Sequence, residues 1–124
     1  MAAVTTVSSL KHGINMAVVS NLAIDQGTTY SVTIQVADDT GVARDLTNYT
    51  GRAQLKRSYY TNTNTAFSVN ISNLTGEVTL SLTSTQTSAL KAGRYVYDLE
   101  LVSSANVVER VIEGIVTIYP EVTK

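Results

Sequence analysis

Apolar and polar residues alternate with a period of two along most of this chain. The pattern is clearest in TTYSVTIQV, where Tyr30, Val32, Ile34 and Val36 share one face while threonine and glutamine share the other. It recurs in YTGRAQLKR, AFSVNI, EVTLSLT, RYVYDLELV and VVERVIEGIVTIYP, with turn sequences between them. Such alternation is typical of strands that are buried on one side. About seven short strands at this spacing predict an all-β fold, an antiparallel sandwich of two sheets.

Two positions interrupt the strand pattern. The stretch STQTSALKAG predicts a single helical turn, with Ser84 or Thr85 as its cap. Gly114 lies inside the last long strand, where a glycine indicates a bulge or a bend. Neither feature separates one folding unit from another, so the chain is expected to contain a single domain.

The first twenty residues are less regular than the rest. We expect residues 21–124 to form the sandwich and residues 1–20 to form an N-terminal arm. The arm either pairs as a first strand or reaches to a neighbouring subunit, and Met16 and Val18 are its candidate contacts. Lys11 and His12 interrupt its apolar residues, so it lacks the unbroken apolar stretch of a signal peptide.

The segment KAGRYVYDLEL contains two tyrosines that could belong either to a reactive site or to a structural strand. Tyr95 and Tyr97 alternate in phase with Leu99 and Leu101, which puts them on the core side of a strand. The glycine and leucine before Tyr95 resemble the tyrosine corner of immunoglobulin-like domains, in which the hydroxyl bonds back to the preceding loop. We therefore interpret Tyr95 as structural and the sandwich as immunoglobulin-like.

The amino-acid composition excludes several classes of function. The chain has 124 residues, a formal net charge of -1 and no cysteine, with 18 threonines and 16 valines that suit strands. Without cysteine there are no disulfides, thiolate metal sites or cysteine nucleophiles. The near-neutral charge gives no reason to expect nucleic acid or an anionic membrane as partner. No apolar run approaches the length of a transmembrane helix.

The candidate chemical groups are few. His12 is the only histidine, and it lies in the arm without patterned partners. Asp98 and Glu100 share a strand face and could meet Glu109 and Glu113 across the next strand, as paired carboxylates do in hydrolases or calcium sites. Arg94 and Arg110 lie in the same two strands, so a cross-strand salt ladder is the simpler interpretation. Asp38 and Asp39 fit a plain turn. We expect no catalytic residue, no metal and no cofactor.

A basic and aromatic cluster occupies RAQLKRSYYTNTNT. Such clusters bind single-stranded nucleic acid when a groove is strongly basic. With a net charge near zero, the better interpretation is an outward strand face that runs into a polar loop. Tyrosine and arginine also anchor protein interfaces. Arg57, Tyr59 and Tyr60 are therefore candidate contacts for a protein partner.

Four motifs together resemble a known family: DLTNYTGRA (45–53), TGEVTLSLT (75–83), GRYVYDLEL (93–101) and EGIVTIYPEVT (113–123). Over residues 22–124 the chain is similar to immunoglobulin-like virion structural proteins of tailed bacteriophages. The resemblance is to cyanophage short structural proteins and, more distantly, to the N-terminal domain of siphophage upper-baseplate proteins. Residues 1–21 lie outside it.

The resemblance implies a non-enzymatic virion protein that is made in the bacterial cytoplasm and assembles with other virion proteins and with copies of itself. The tail or baseplate region, where it would hold or connect fibres, is the expected location. A capsid-decoration or neck protein is the first alternative. A host- or carbohydrate-binding module is the second, for which only Tyr59, Tyr60 and Tyr119 are expected to be exposed aromatics.

Overall fold

The computed structural model describes residues 3–8, 18–38, 40–60 and 63–122. Nearly all regular structure in these ranges is β. The strands are β1 (Ala3–Ser8), β2 (Val18–Val19), β3 (Leu22–Asp25), β4 (Tyr30–Ala37), β5 (Thr50–Lys56), β6 (Asn64–Ala66), β7 (Ser68–Ser72), β8 (Glu77–Leu82), β9 (Gly93–Val102) and β10 (Val108–Tyr119), and one short helix, α1 (Ser84–Ser88), lies between β8 and β9.

The strands form two sheets. The smaller sheet has the order β1-β4-β8-β7, and the larger has the order β2-β10-β9-β5-β6, with β3 pairing β10 beyond β2. The β4–β8, β7–β8, β5–β6, β5–β9 and β9–β10 pairs are all antiparallel. The all-β sandwich expected from the alternation is confirmed.

One core lies between the sheets, because each strand turns its apolar positions inward. On β9 the burial alternates strictly from Tyr95 to Val102, and on β4 it alternates from Val32 to Val36. The apolar residues that are completely buried come from both sheets and from the β4–β5 connection: Ile24, Ile34, Val36, Leu46, Val78, Leu80, Leu99, Leu101, Ile112 and Val116. At about 25 cal/mol per Å² of buried apolar surface, this core is the main source of stability.

The parallel pairs at two sheet edges are a departure from the expected antiparallel pattern. β1 runs parallel to β4, from Ala3 beside Val32 to Ser8 beside Ala37. β2 and β3 both run parallel to β10 with one continuous register. The chain visits the larger sheet between β1 and β4, so these two strands are not joined by a hairpin and can run parallel. These short edge strands raise the strand number above the expected seven.

At Gly114 the backbone of β10 lies close to the residues that connect β2 to β3. Ser20 and Asn21 separate β2 from β3, and a Cβ atom on Gly114 would overlap the carbonyl oxygen of Ser20. The Ser20 N–H donates to the Glu113 carbonyl at 2.8 Å, and the Asn21 side-chain oxygen accepts from the Ile115 N–H at 3.0 Å. The glycine therefore permits a close backbone approach.

A β-bulge does occur in β10, but it lies between Arg110 and Ile112. Val111 and Ile112 are both buried, so the alternation changes phase there. This shift turns Glu109 to the core side and keeps Arg110 on the outer side.

Helix α1 closes one end of the sandwich. Its N-cap is Thr83, so the expectation of Ser84 or Thr85 was wrong by one or two positions. Thr83 has an extended backbone, and its side chain accepts from the N–H of Gln86 while the Gln86 side chain accepts from the N–H of Thr83. This reciprocal capping box requires a glutamine three residues after the cap, which Thr83 alone satisfies. The buried Thr87 hydroxyl then bonds the Thr28 carbonyl at 2.8 Å and ties the helix to the β3–β4 loop.

Candidate interaction surface

The outer face of the larger sheet contains a half-open depression between β5 and β9, which we call the β5–β9 depression. Its volume is about 240 Å³. The register places Arg52 beside Glu100, Gln54 beside Asp98 and Lys56 beside Val96. Those side chains, together with Tyr59 from the following loop, form its rim and walls. The same alternation that buries one side of β9 therefore presents polar groups on the other.

Ion pairs between neighbouring strands connect the charged side chains of this face. Arg52 Nε lies 2.8 Å from Glu100 Oε1, and Arg110 Nε lies 3.2 Å from Asp98 Oδ2. Arg110 also reaches Glu113 at 3.7 Å. The expected salt ladder is confirmed for Asp98 and Arg110. Among the described residues, no group of three or more acidic or histidine side chains is arranged to hold a metal ion.

Partial burial and nearby charges perturb the carboxyl of Asp98 on this surface. Burial raises the pKa of its carboxyl above the ordinary value, and the Arg110 charge offsets this in part. The negative charges of Glu100 and Glu113 raise the pKa further. The ionised form of Asp98 is thus more costly in the folded protein than in the unfolded chain.

Glu109 does not belong to this ladder, contrary to one of the pairings considered from the sequence. Because of the bulge, its carboxylate lies on the other side of β10 and accepts two hydrogen bonds from Arg44, at 3.0 and 3.1 Å. Arg44 also donates to the Tyr49 hydroxyl at 3.3 Å. Both charged side chains are more than four-fifths buried, so this pair joins the β4–β5 connection to β10. The adjacent apolar residues Val111 and Ile112 are the sequence signal that could have revealed the shift.

The loop after β5 carries the exposed aromatics. Tyr59 is 67% exposed and Tyr60 is 96% exposed. Arg57 lies over the ring of Tyr95, 5.0 Å from its centroid, in a cation–π contact. The three candidate contacts are therefore adjacent, but Tyr59 and Tyr60 present free rings whereas Arg57 packs on the sandwich. Tyr119, at the end of β10, is also exposed, as expected.

The two tyrosines of β9 both point inward and both hydroxyls are paired. Tyr95 donates to the Lys91 carbonyl at 2.8 Å, which is the hydrogen bond of a tyrosine corner. Tyr97 donates to the Ser20 carbonyl at 2.6 Å and so holds the edge strand. Burial, reinforced by the nearby Tyr30, raises the pKa of Tyr97 well above that of a free tyrosine. The hydroxyl is kept neutral and acts as a hydrogen-bond donor.

The remaining predicted residues lie apart from this surface. Val18 is in β2, partly buried against the core of its own chain. Met16, His12 and Asp39 lie outside the described residues. Asp38 closes a turn by accepting from the N–H groups of Thr40 and Val42. The contact of Val18 or Met16 with a neighbouring subunit stays a prediction.

No protein-family profile matches the chain, and no curated protein matches it. Among solved structures it is similar to the N-terminal domain of phage TP901-1 ORF48, with a TM-score of 0.58 and 8% identity over 94% of this chain and 97% of that one. It is also similar to the Listeria monocytogenes internalin-like protein lmo2027, with a TM-score of 0.47 and 17% identity over 83% of this chain and 28% of that one.

The first likeness shows a shared fold across nearly the whole of both chains. At 8% identity it shows the fold alone, and it lends no support to the cyanophage proteins in particular. Within the described residues, no helix combines the length and apolar character needed to cross a bilayer.

Proposed function

We propose that this chain is a non-catalytic structural protein of a tailed-phage virion, located in the tail or baseplate region and joined to other virion proteins and to copies of itself. The observation that carries the proposal is the fold likeness to a phage protein domain, which extends over 94% of this chain. The resemblance of four separate sequence motifs to phage virion proteins supports it independently.

The surface chemistry also supports assembly. The sandwich ends in short edge strands, and a sheet edge accepts a strand from a neighbouring chain. The free rings of Tyr59 and Tyr60 add exposed apolar area, and tyrosine is enriched in the energetic centres of protein interfaces. The hydroxyls of the two tyrosines of β9 are bonded to backbone carbonyls inside the fold, which supports a structural role for this strand.

The proposal is tested by analysing particles made from the genome that encodes this chain. We expect mass spectrometry of purified particles to detect it. We also expect the double variant Tyr59→Ala, Tyr60→Ala to fold normally and to be incorporated less. Tyr119→Ala is the matched control, because Tyr119 is an exposed tyrosine that lies at the end of β10 rather than in the Tyr59–Tyr60 loop. Absence of the wild-type chain from particles would overturn the proposal.

Deletion of residues 1–20 tests the arm. We expect incorporation to be lost because the contact that we propose between the arm and a neighbouring chain is removed. Since Ala3–Ser8 pair with β4, circular dichroism must first show that the shortened chain keeps its β structure.

Labelling of the full chain in electron micrographs distinguishes a tail or baseplate position from the capsid-decoration and neck alternatives.

A further inference from the structure

We propose that the β5–β9 depression is a binding site for a neutral glycan. This inference goes beyond a structural role in the particle and does not depend on it. Three observations carry it: the balance of charge in the depression, the mixture of fixed hydrogen-bonding groups, and one exposed aromatic ring at its rim.

The charges that line the depression cancel. Arg52 and Lys56 supply two positive groups, and Asp98 and Glu100 supply two negative ones. Nucleic acids need an excess of basic groups for the release of counterions. The basic groups lie on β5 and the acidic groups face them on β9, so a polyanion or a polycation in the depression would contact repulsive groups on one of its two strands. A neutral ligand is the class that this arrangement favours.

A protein partner fits the centre of the depression less well. The buried centres of protein interfaces are depleted of lysine, aspartate and glutamate, which here form the walls. Each sugar hydroxyl can both donate and accept a hydrogen bond. A wall that offers an ammonium and a guanidinium next to carboxylates, with the amide of Gln54 between them, matches that capacity.

Three of the polar side chains, Arg52, Glu100 and Asp98, already have partners before any ligand arrives. The Arg52–Glu100 pair, at 2.8 Å, uses one N–H of the guanidinium and one carboxylate oxygen. Arg has five N–H donors and a carboxylate has two oxygens, so both side chains retain capacity for a ligand. Arg110 fixes Asp98 from the neighbouring strand. Groups that are already ordered lose less entropy on binding.

Tyr59 supplies the apolar contact. Tyr59 lines the depression, and the residue is 67% exposed. The C–H face of a pyranose packs on an aromatic face through weak C–H contacts. The volume of about 240 Å³ is below the roughly 300–1,000 Å³ of enclosed small-molecule sites. It suits a short segment of a longer polymer that lies across the sheet.

The test is a titration of the ¹⁵N-labelled full chain, followed by its amide spectrum. The probes are neutral oligosaccharides of glucose, mannose, galactose and N-acetylglucosamine, with heparin as a charged probe. We expect a neutral probe to shift the amides of β5 and β9. Tyr59→Ala should weaken that binding about tenfold, whereas the neighbouring Tyr60→Ala should change it less than about twofold, because Tyr60 does not line the depression.

If Gln54→Ala also weakens binding, the ligand lies on the sheet rather than on the loop after β5. The proposal is overturned if none of the neutral probes binds, if heparin alone binds, if the shifts lie away from β5 and β9, or if Tyr60→Ala weakens binding as much as Tyr59→Ala. Particle incorporation does not enter this test, so a negative result leaves the structural role standing.

Discussion

The two faces of β9 differ in what they do, although they alternate along one ten-residue strand. The inner face packs Tyr95, Tyr97, Leu99 and Leu101 into the core, and both tyrosine hydroxyls bond backbone carbonyls. The outer face presents Asp98 and Glu100 to arginines on the flanking strands. The comparison teaches that a tyrosine- and carboxylate-rich segment need not be a reactive site. Alternation alone divides its side chains between the buried core and the outer face of the sheet.

The largest expected effect comes from breaking the inner face. Leu99 is completely buried, so Leu99→Ala should lower the free energy of unfolding by about 2–5 kcal/mol, through lost burial and the cavity that remains. Val96→Ala on the outer face of the same strand should cost less than about 1 kcal/mol. Urea denaturation of both variants measures the difference. Equal losses would show that the two faces are not distinct.

A smaller effect is expected from removing one hydroxyl of the inner face. Tyr97→Phe deletes the hydrogen bond to the Ser20 carbonyl and should lower the free energy of unfolding by about 1 kcal/mol. It should also speed hydrogen exchange of the amides in β2 and β3, which that bond holds to the sheet. Tyr95→Phe is the matched control. It removes the bond to Lys91 and should leave exchange in β2 and β3 unchanged. Faster exchange in both variants would contradict a local role for Tyr97.

The smallest effect is expected on the outer face. Burial raises the pKa of Asp98 above its ordinary value of 3.8, so the folded state holds this proton more tightly than the unfolded chain. Stability therefore falls as the pH rises from below 3.8 through the raised value. Asp98→Asn removes this penalty and should be the more stable form at neutral pH.

The gain from Asp98→Asn should be less than about 1 kcal/mol, because the side chain is about one-third exposed and solvent screens its charge. It should disappear in acid, below the ordinary pKa of aspartate. Thermal denaturation between acidic and neutral pH measures it. A variant that is less stable than the wild type at neutral pH would show that the ion pair with Arg110 outweighs the burial of Asp98.

Structural features that have a local cause could be predicted from the sequence. Period-two alternation predicted the faces of β4, β8 and β9, since the geometry of a strand enforces it. The bond of Tyr95 spans only four residues and follows from the turn before it.

Contacts between segments that are distant in the chain could not be predicted from the sequence. The bonds from Tyr97 to Ser20 and from Arg44 to Glu109 join residues 77 and 65 positions apart. The bulge before Ile112 also reverses the phase of β10, so a uniform alternation assigns Glu109 to the wrong face. The depression depends on the register of β5 with β9, which no single strand encodes.

Reconstruction of intact particles by electron cryomicroscopy tests the central claim most directly. The account predicts density for this two-sheet sandwich in the tail or baseplate region, repeated around the particle axis, with neighbouring chains against its sheet edges or the Tyr59–Tyr60 loop. Particles that contain no such density, although the chain is produced during their assembly, would contradict it.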